Sequence, residues 1–459
     1  MGKKKMSTKD NMRVYSIKDK LIWGLANFGT SIIQGVFATT TVYFYHNTLN
    51  LDPFYISIAA VIFAIWNALN DPIFGYISDK TRTKLGRRIP FMRFTAPFLA
   101  ITFIIFWLVP VDLPQLSIFL WMIIMMCLYD TCFTIIGLVY SALLPELSED
   151  DKVRGQFQQF SSLFYLIGVI FGFFIPELIN PEGGSLIPLY IGTVIVGILG
   201  AFCIIITTYR FKERPEYTLV DKPLGLKDAI KYTFKSKAFL IVAAANFMSI
   251  FFQQILLSYM VYLAKHVMKI STILLMAVLI LGLIVGVFIT NTLSSKFGVV
   301  RANQLHLGFG AVFLLILPFV PQTMIYVCLF IGGIGLSGPL VLTNVLFSQV
   351  ADEDELRSGV RREAAFFGTN AMLTKPAQSL AIAIGPWLLT IAGFVTGQID
   401  QAPRAEFMIK FILGILPAVA MLIGVLILLY YPLTDEYLKE VQENVLKLHE
   451  EKQSKLKSL

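Results

Sequence analysis

Asp71 and Lys375 are ionisable residues inside long apolar runs, and each is followed directly by proline, Pro72 and Pro376. At 1.5 Å per residue, Asp71 lies about 12 Å in from Asp79, and Lys375 about 20 Å in from Arg362. An unpaired charge that deep in hydrocarbon costs at least about 2.5–3.5 kcal/mol, so each needs a partner. A proline inside a helix frees the carbonyl one turn back, which for Pro72 belongs to Ala68. Freed oxygens facing a cavity can take water or a cation. A carboxylate held by an ammonium can exchange it for a proton or a sodium ion, and Asn67, one turn before Asp71, adds an oxygen without charge. A static structural ion pair is the plainer reading of the same residues.

The elements that must position them are membrane helices. The chain has 459 residues, 56% hydrophobic and 15% charged, against roughly 25% charged in a soluble domain. Apolar segments of about 20 residues, enough to span hydrocarbon, recur near 20–46, 54–77, 91–110, 115–142, 157–179, 187–209, 238–264, 271–294, 303–320, 324–348, 364–392 and 406–431. The expectation is an all-α membrane protein with twelve transmembrane helices, because lipid-exposed backbone must pair its own polar groups.

The net charge of +8 reflects topology rather than a nucleic-acid partner. With the N-terminus in the cytoplasm, 33 Lys and Arg fall in inside segments, three outside (Lys265, Lys269, Arg404), and two within spans (Lys375, Lys410). This bias puts both termini of a multi-pass cell-membrane protein in the cytoplasm. The first apolar segment is too long for a signal peptide, and Met6 stands where myristoylation requires Ser or Thr. The four cysteines fall within spans and read as small buried hydrophobes, and the four histidines show no metal-ligand spacing. No nucleophile–base pair or phosphate loop is visible, so no enzyme, cofactor or ATP hydrolysis is expected.

The chain divides into a six-helix half at 1–210, a central cytoplasmic loop at 211–237, a second half at 238–431 and a tail at 432–459. The loops LPELSEDDKVRG and VADEDELRSG occupy matching places in the halves, as do SDKTRTKLGRR and SSKFGVVR. Such repeats are a transporter device. Polar residues share faces in repeat-related helices: Asn27, Ser31 and Gln34; Asn246, Ser249 and Gln253; Asp130, Thr134, Gly137 and Ser141; Ser337, Asn344 and Ser348. Such stripes line water or a helix interface. Their repetition favours a central cavity.

This arrangement resembles the major facilitator superfamily. The motifs NDPIFGYISDKTRTKLGRRIP (70–90), ALLPEL (142–147), ADEDELRSGVRREAAFFGTNAMLTKPAQ (351–378) and YPLTDE (431–436) are similar to the glycoside–pentoside–hexuronide:cation symporters, the melibiose permease group. The resemblance spans nearly the whole chain. It implies that helices 2 and 11 meet between the halves, so that Asp71 and Lys375 pair across that seam. It also implies a gate on the cytoplasmic side, with Asp79 capping helix ends and Arg82, Arg87 and Arg88 pairing with Glu146 and with the acids of Glu149–Asp151 and Asp352–Glu355. Arg154 and Arg357 belong to the same motifs. A purely topological role is the alternative for the basic loop.

Departures from the family pattern are equally specific. Asn67 replaces a second acid, Ser31 stands at the sugar-binding acid of helix 1, and Gly137 at its helix 4 counterpart, with Asp130 two turns earlier. The helix 5 arginine is missing from FQQFSS. These changes favour protons or uncoupled transport over sodium at Asp71. The expected substrate residues are Asn27, Ser31, Gln34, Asp130, Tyr140, Gln158, Gln159, Gln253, Asn344 and Asn370. Trp23, Tyr129, Tyr140 and Tyr259 would serve as stacking platforms. Amides and aromatic faces suit a neutral sugar, and also tolerate a lysolipid headgroup. The sequence therefore predicts a monomeric secondary transporter in the lipid bilayer, driven by H+ or Na+ and carrying a sugar or glycoside, with a lysolipid carrier or uncoupled facilitator as alternatives. The C-terminal tail reads as a solvated or membrane-surface amphipathic helix, from which no function follows.

Overall fold

The computed structural model describes residues 15–110, 112–179, 186–213, 232–359, 361, 363–395, 398–433 and 435–458. Most of the central loop lies outside these residues. The first half comprises α1 (Ile17–Tyr43), α2 (Pro53–Lys80), α3 (Ile89–Trp107), α4 (Gln115–Leu147), α5 (Asp151–Ile179) and α6 (Ile187–Arg210). The second comprises α7 (Lys237–Tyr262), α8 (Thr272–Phe297), α9 (Val299–Ile316), α10 (Gln322–Ser358), α11 (Glu363–Ile391) and α12 (Pro403–Leu428), and α13 (Asp435–Ser458) follows. Ten of these helices are apolar and long enough to cross a membrane. The other two of the twelve, α5 and α11, run 29 residues each, and each carries residues that meet the opposite half, Gln159 on α5 and Lys375 on α11.

Helix starts follow local chemistry. Ser16 and Asp19 form a reciprocal capping box at α1. Asp52 caps α2 ahead of Pro53, and Ser236 and Ser271 cap α7 and α8. Side-chain oxygens there take the orphan N–H groups of the first turn. Both α1 and α7 end in a π-helical turn, Phe44–Thr48 and Leu263–Met268.

The packing repeats with a shift of six helices. In the first half α1 packs on α5 and α6, α2 on α4, and α3 on α4 and α6. In the second, α7 packs on α11 and α12, α8 on α10, and α9 on α10 and α12. The halves meet along two seams related by the same shift, α2 with α11 and α5 with α8. This is the major facilitator architecture, an all-helical, multi-pass membrane bundle.

Several segments that read as loops are helical. α4 runs on to Leu147 and α10 to Ser358, so the acidic residues of 352–355 ride on a helix and are buried. The tail helix α13 is not solvated along its whole surface: Val441, Val445, His449 and Lys452 are buried against the bundle. The face on which α13 lies, where α1 begins and α6 ends, is the tail face.

Candidate functional site

At mid-depth, α2 and α11 approach at backbone distance. A Cβ on Gly368 would lie 2.7 Å from the Asp71 carbonyl oxygen, and one on Gly75 would lie 2.7 Å from that of Ala364. Only glycine permits this approach. It brings the Lys375 ammonium onto Asp71 Oδ2, Asn67 Oδ1 and the Asn67 carbonyl. The expected pair is therefore formed across the seam. Asn70 Nδ2 donates to Asp130 Oδ2 at 3.0 Å, which ties α4 into the cluster. Asp130, expected to bind substrate, faces this ionic group instead. Asn70 Oδ1 is buried without a partner. One carboxylate and one amide residue thus hold the ammonium, with the Asn70–Asp130 pair beside them, an oxygen-rich site in which an entering cation would have to displace Lys375.

Nearby lies a cavity of about 230 Å³. Asn27, Gln34, Tyr140, Gln158 and Asn344 line it as expected, with Thr30 and Ser162 as additional polar groups and Phe133, Ile136, Tyr165 and Leu340 as apolar wall. Among the described residues, none that lines it carries a charge. Tyr140 is held by hydrogen bonds of 2.9 Å to the Trp23 carbonyl and to Ser161.

The other expected substrate residues lie elsewhere. Ser31 packs against Gly168 of α5 and bonds the Phe28 carbonyl. Gln159 donates to the Val287 carbonyl of α8 at 3.2 Å, so it holds the second seam. Asn370 accepts from Asn246 at 3.2 Å. Gln253 is half-buried on α7, away from the cavity lining. Of the expected stacking platforms only Tyr140 reaches the cavity. Trp23 is fully buried beneath Tyr140, at 4.3 Å between rings, Tyr129 stacks on Phe37 at 4.0 Å, and Tyr259 bonds the Ile382 carbonyl. Aromatic residues satisfy packing and binding with the same surface, so sequence could not separate the two.

The tail face is closed by buried ions. Arg87 reaches Glu146 at 2.8 Å and Glu363 at 2.9 Å; Arg88 reaches Glu146 at 2.8 Å and also Glu363. Asp79 accepts the Ala365 N–H at 2.8 Å, capping α11. Arg154 pairs with Asp352 at 2.6 Å, and Arg361 with Asp352, Glu355 and Glu363. All four arginines are fully buried. Burial alone would make the Arg87 guanidinium easier to deprotonate, but Glu146, Glu363 and Asp79 outweigh it and raise its pKa.

Three gate expectations change. Arg82 donates to the Asp79 and Thr81 carbonyls of its own loop rather than to Glu146. Arg357 makes an i,i+4 pair with Glu353 at 2.7 Å and is largely exposed. Asp352 meets Arg154 and Arg361, and Glu355 meets Arg361, rather than Arg82, Arg87 or Arg88. Arg361, Glu363 and Glu213 were missed. Glu213 accepts the N–H groups of Arg87, Arg88 and Ile89 at 2.7–2.8 Å, filling the anion site at the α3 N-terminus. Burial pushes its carboxyl pKa up, with Glu146 adding to the effect, against those N–H groups and Arg88.

Comparison with known proteins agrees with this architecture. The sodium-dependent lysophosphatidylcholine symporter 1 of Xenopus tropicalis is 23% identical over 85% of this chain and 82% of its own length. The sphingosine-1-phosphate transporter MFSD2B of Xenopus tropicalis is 23% identical over 85% of this chain and 83% of its own. Among solved structures, the E. coli fucose:proton symporter superposes with a TM-score of 0.65 at 12% identity, covering 92% of this chain and all of that one. The family model described as MFS/sugar transport protein matches residues 22–435, and the chain belongs to that family of major facilitator transporters.

Proposed function

We propose that this transporter is a cation-coupled symporter of a single-chain amphiphile of the lysolipid kind, working by alternating access. The carrying observation is the mid-depth cluster of Asn67, Asn70, Asp71, Asp130 and Lys375, which straddles the seam between the halves. A cation entering it competes with Lys375, loosens one contact between the halves and thereby biases the rocking equilibrium. Coupling arises when ion and substrate favour the same state. The sodium dependence named for one relative gives weight to Na+ over the proton that the neutral replacements alone would favour.

The substrate reading rests on the relatives together with the cavity. Its neutral lining of amides and aromatic rings suits a zwitterionic or uncharged headgroup. It gives no cation to a free phosphate monoester, which separates lysophosphatidylcholine-like from sphingosine-phosphate-like substrates. A sugar is the second reading, favoured by the amides of Asn27, Gln34, Gln158 and Asn344 and by the motifs similar to glycoside–cation symporters. In this reading the tail face is cytoplasmic, as the charge bias requires.

The test is uptake into proteoliposomes under imposed Na+ or pH gradients, with short-chain lysophosphatidylcholine, sphingosine phosphate, and a panel of mono- and disaccharides. Gradient-driven uptake of the lysolipid with sugars inert is expected. Uptake of a sugar with the lysolipid inert would overturn the substrate assignment. Equal uptake without any gradient would overturn coupling.

A further inference from the structure

α13 carries a stripe that no transport step uses. Leu438, Val441, Gln442, Val445, His449 and Lys452 recur at helical spacing on one face, and Val441, Val445, His449 and Lys452 are buried. This face touches both halves. Gln442 donates to Asp151 of α5 at 3.2 Å, and Lys452 donates to Glu355 of α10 at 2.8 Å. Between them sits His449, with Nδ1 3.0 Å from Glu149 of the first half and Nε2 2.9 Å from Glu355 of the second. The Arg361 guanidinium, just before α11, lies 3.1 Å from the same Nε2, to which it can donate only when that nitrogen carries no proton.

We propose that α13 is a proton-sensitive latch: protonated His449 bridges Glu149 and Glu355 and so holds the two halves together at the tail face. The geometry carries the argument. A carboxylate accepts and does not donate, so bonds from both ring nitrogens to carboxylates require both to carry hydrogen, which is the imidazolium. A neutral ring keeps one of those bonds. If Nε2 loses its proton, it becomes an acceptor for Arg361 and turns its lone pair on Glu355. Among the described residues, the groups facing the ring are Glu149 from the α4–α5 turn, Glu355 from α10 and Arg361 from the α10–α11 connection, with Lys452 of α13 on the other oxygen of Glu355. The proton on His449 thus adds a positive charge between two carboxylates of opposite halves.

Burial alone would lower the His449 pKa, but the bonds to Glu149 and Glu355 and the charge of Glu355 outweigh it, so the docked ring titrates above 6.5. Protonation and docking therefore favour each other. The latch contribution is fully present below pH 6.5 and is lost as the pH rises through the raised docked value. Acidification on the tail side thus favours closure there, and alkalinisation releases it. The device acts on the rocking equilibrium itself and is independent of which substrate is carried.

The test needs no ligand. Spin labels on Lys84→Cys and Ser295→Cys, both exposed at the tail face of opposite halves, report opening as a longer distance in the full chain with its native cysteines replaced by alanine. With His449 present, the closed-to-open ratio is expected to fall between pH 6 and pH 8.5, by roughly tenfold for each unit by which docking raises the pKa. His449→Gln is expected to be more open and flat with pH; His449→Arg, which keeps a fixed cation, closed and flat. A pH response that survives in either variant, or a parent protein without one, would overturn the latch.

Discussion

Replacing Glu363 by glutamine removes one negative charge from among three buried guanidinium groups, those of Arg87, Arg88 and Arg361. The Arg361 contact lies within the second half and survives rocking. The contacts to Arg87 and Arg88 join the halves and exist only while the tail face is closed. Breaking a buried ion pair by removing one partner costs about 3–5 kcal/mol. Taking the lower end, because Glu146 remains bound to both arginines, the closed state loses about 3 kcal/mol relative to the open one, or roughly a hundredfold in population. Ser348, fully buried one turn from Asn344 toward the gate, provides the readout. With Cys127, Cys132, Cys203 and Cys328 replaced, the alkylation rate of Ser348→Cys from the tail side follows the open population. Glu363→Gln is expected to raise that rate roughly a hundredfold. A rate within twofold of the parent would refute the idea that these pairs hold the closed state.

Other expectations concern the site and its supports. Asp71→Asn is expected to abolish ion-driven accumulation and, with Lys375 partly exposed at 23%, to cost about 1–2 kcal/mol of stability; adding Lys375→Met should restore the melting temperature but not the coupling, and coupled uptake in either variant would exclude Asp71 as the ion site. Gln34→Ala and Asn344→Ala should each raise KM roughly fivefold to tenfold, the worth of one hydrogen bond, measured as initial uptake rates. Glu213→Ala should lower the melting temperature by removing about 1–2 kcal/mol of helix capping. Because the Glu213 pKa is raised in the fold, its contribution is fully present below about pH 4.5 and declines as pH rises through the folded value. The melting-temperature advantage of the parent over Glu213→Gln should therefore shrink as the pH rises above about 4.5.

What the sequence made legible depended on contrast with its surroundings. Asp71 and Lys375 stood out because each is a lone charge in an apolar run, and the α1 and α4 stripes located Asn27, Gln34, Gly137 and Ser141 of the cavity lining. Arg361 and Glu363 could not stand out. They lie in a polar stretch rich in charge, where burial depends in part on contacts with Arg87, Arg88 and Pro145, more than two hundred positions away. The same limit applied to α13: its apolar stripe was visible as amphipathicity, but the surface that receives it is assembled from Glu149, Asp151 and Glu355 of both halves. Ser31 and Gln159 were misplaced because a polar face in lipid serves a helix contact as well as it serves a cavity.

The repeat makes α2–α11 and α5–α8 equivalent seams, yet their chemistry differs. The first is crossed at mid-depth by an ammonium among carboxylates, the second by the neutral amide of Gln159 on a carbonyl. In the proposed mechanism an arriving ion would therefore work on one side of a pseudosymmetric body and find, among the described residues, no ion pair to displace on the other. The force it exerts would be off-axis. The neutral seam would become the fulcrum and the charged seam the end of the lever, so a near-symmetric scaffold would acquire a preferred direction of tilt from a single pair of side chains.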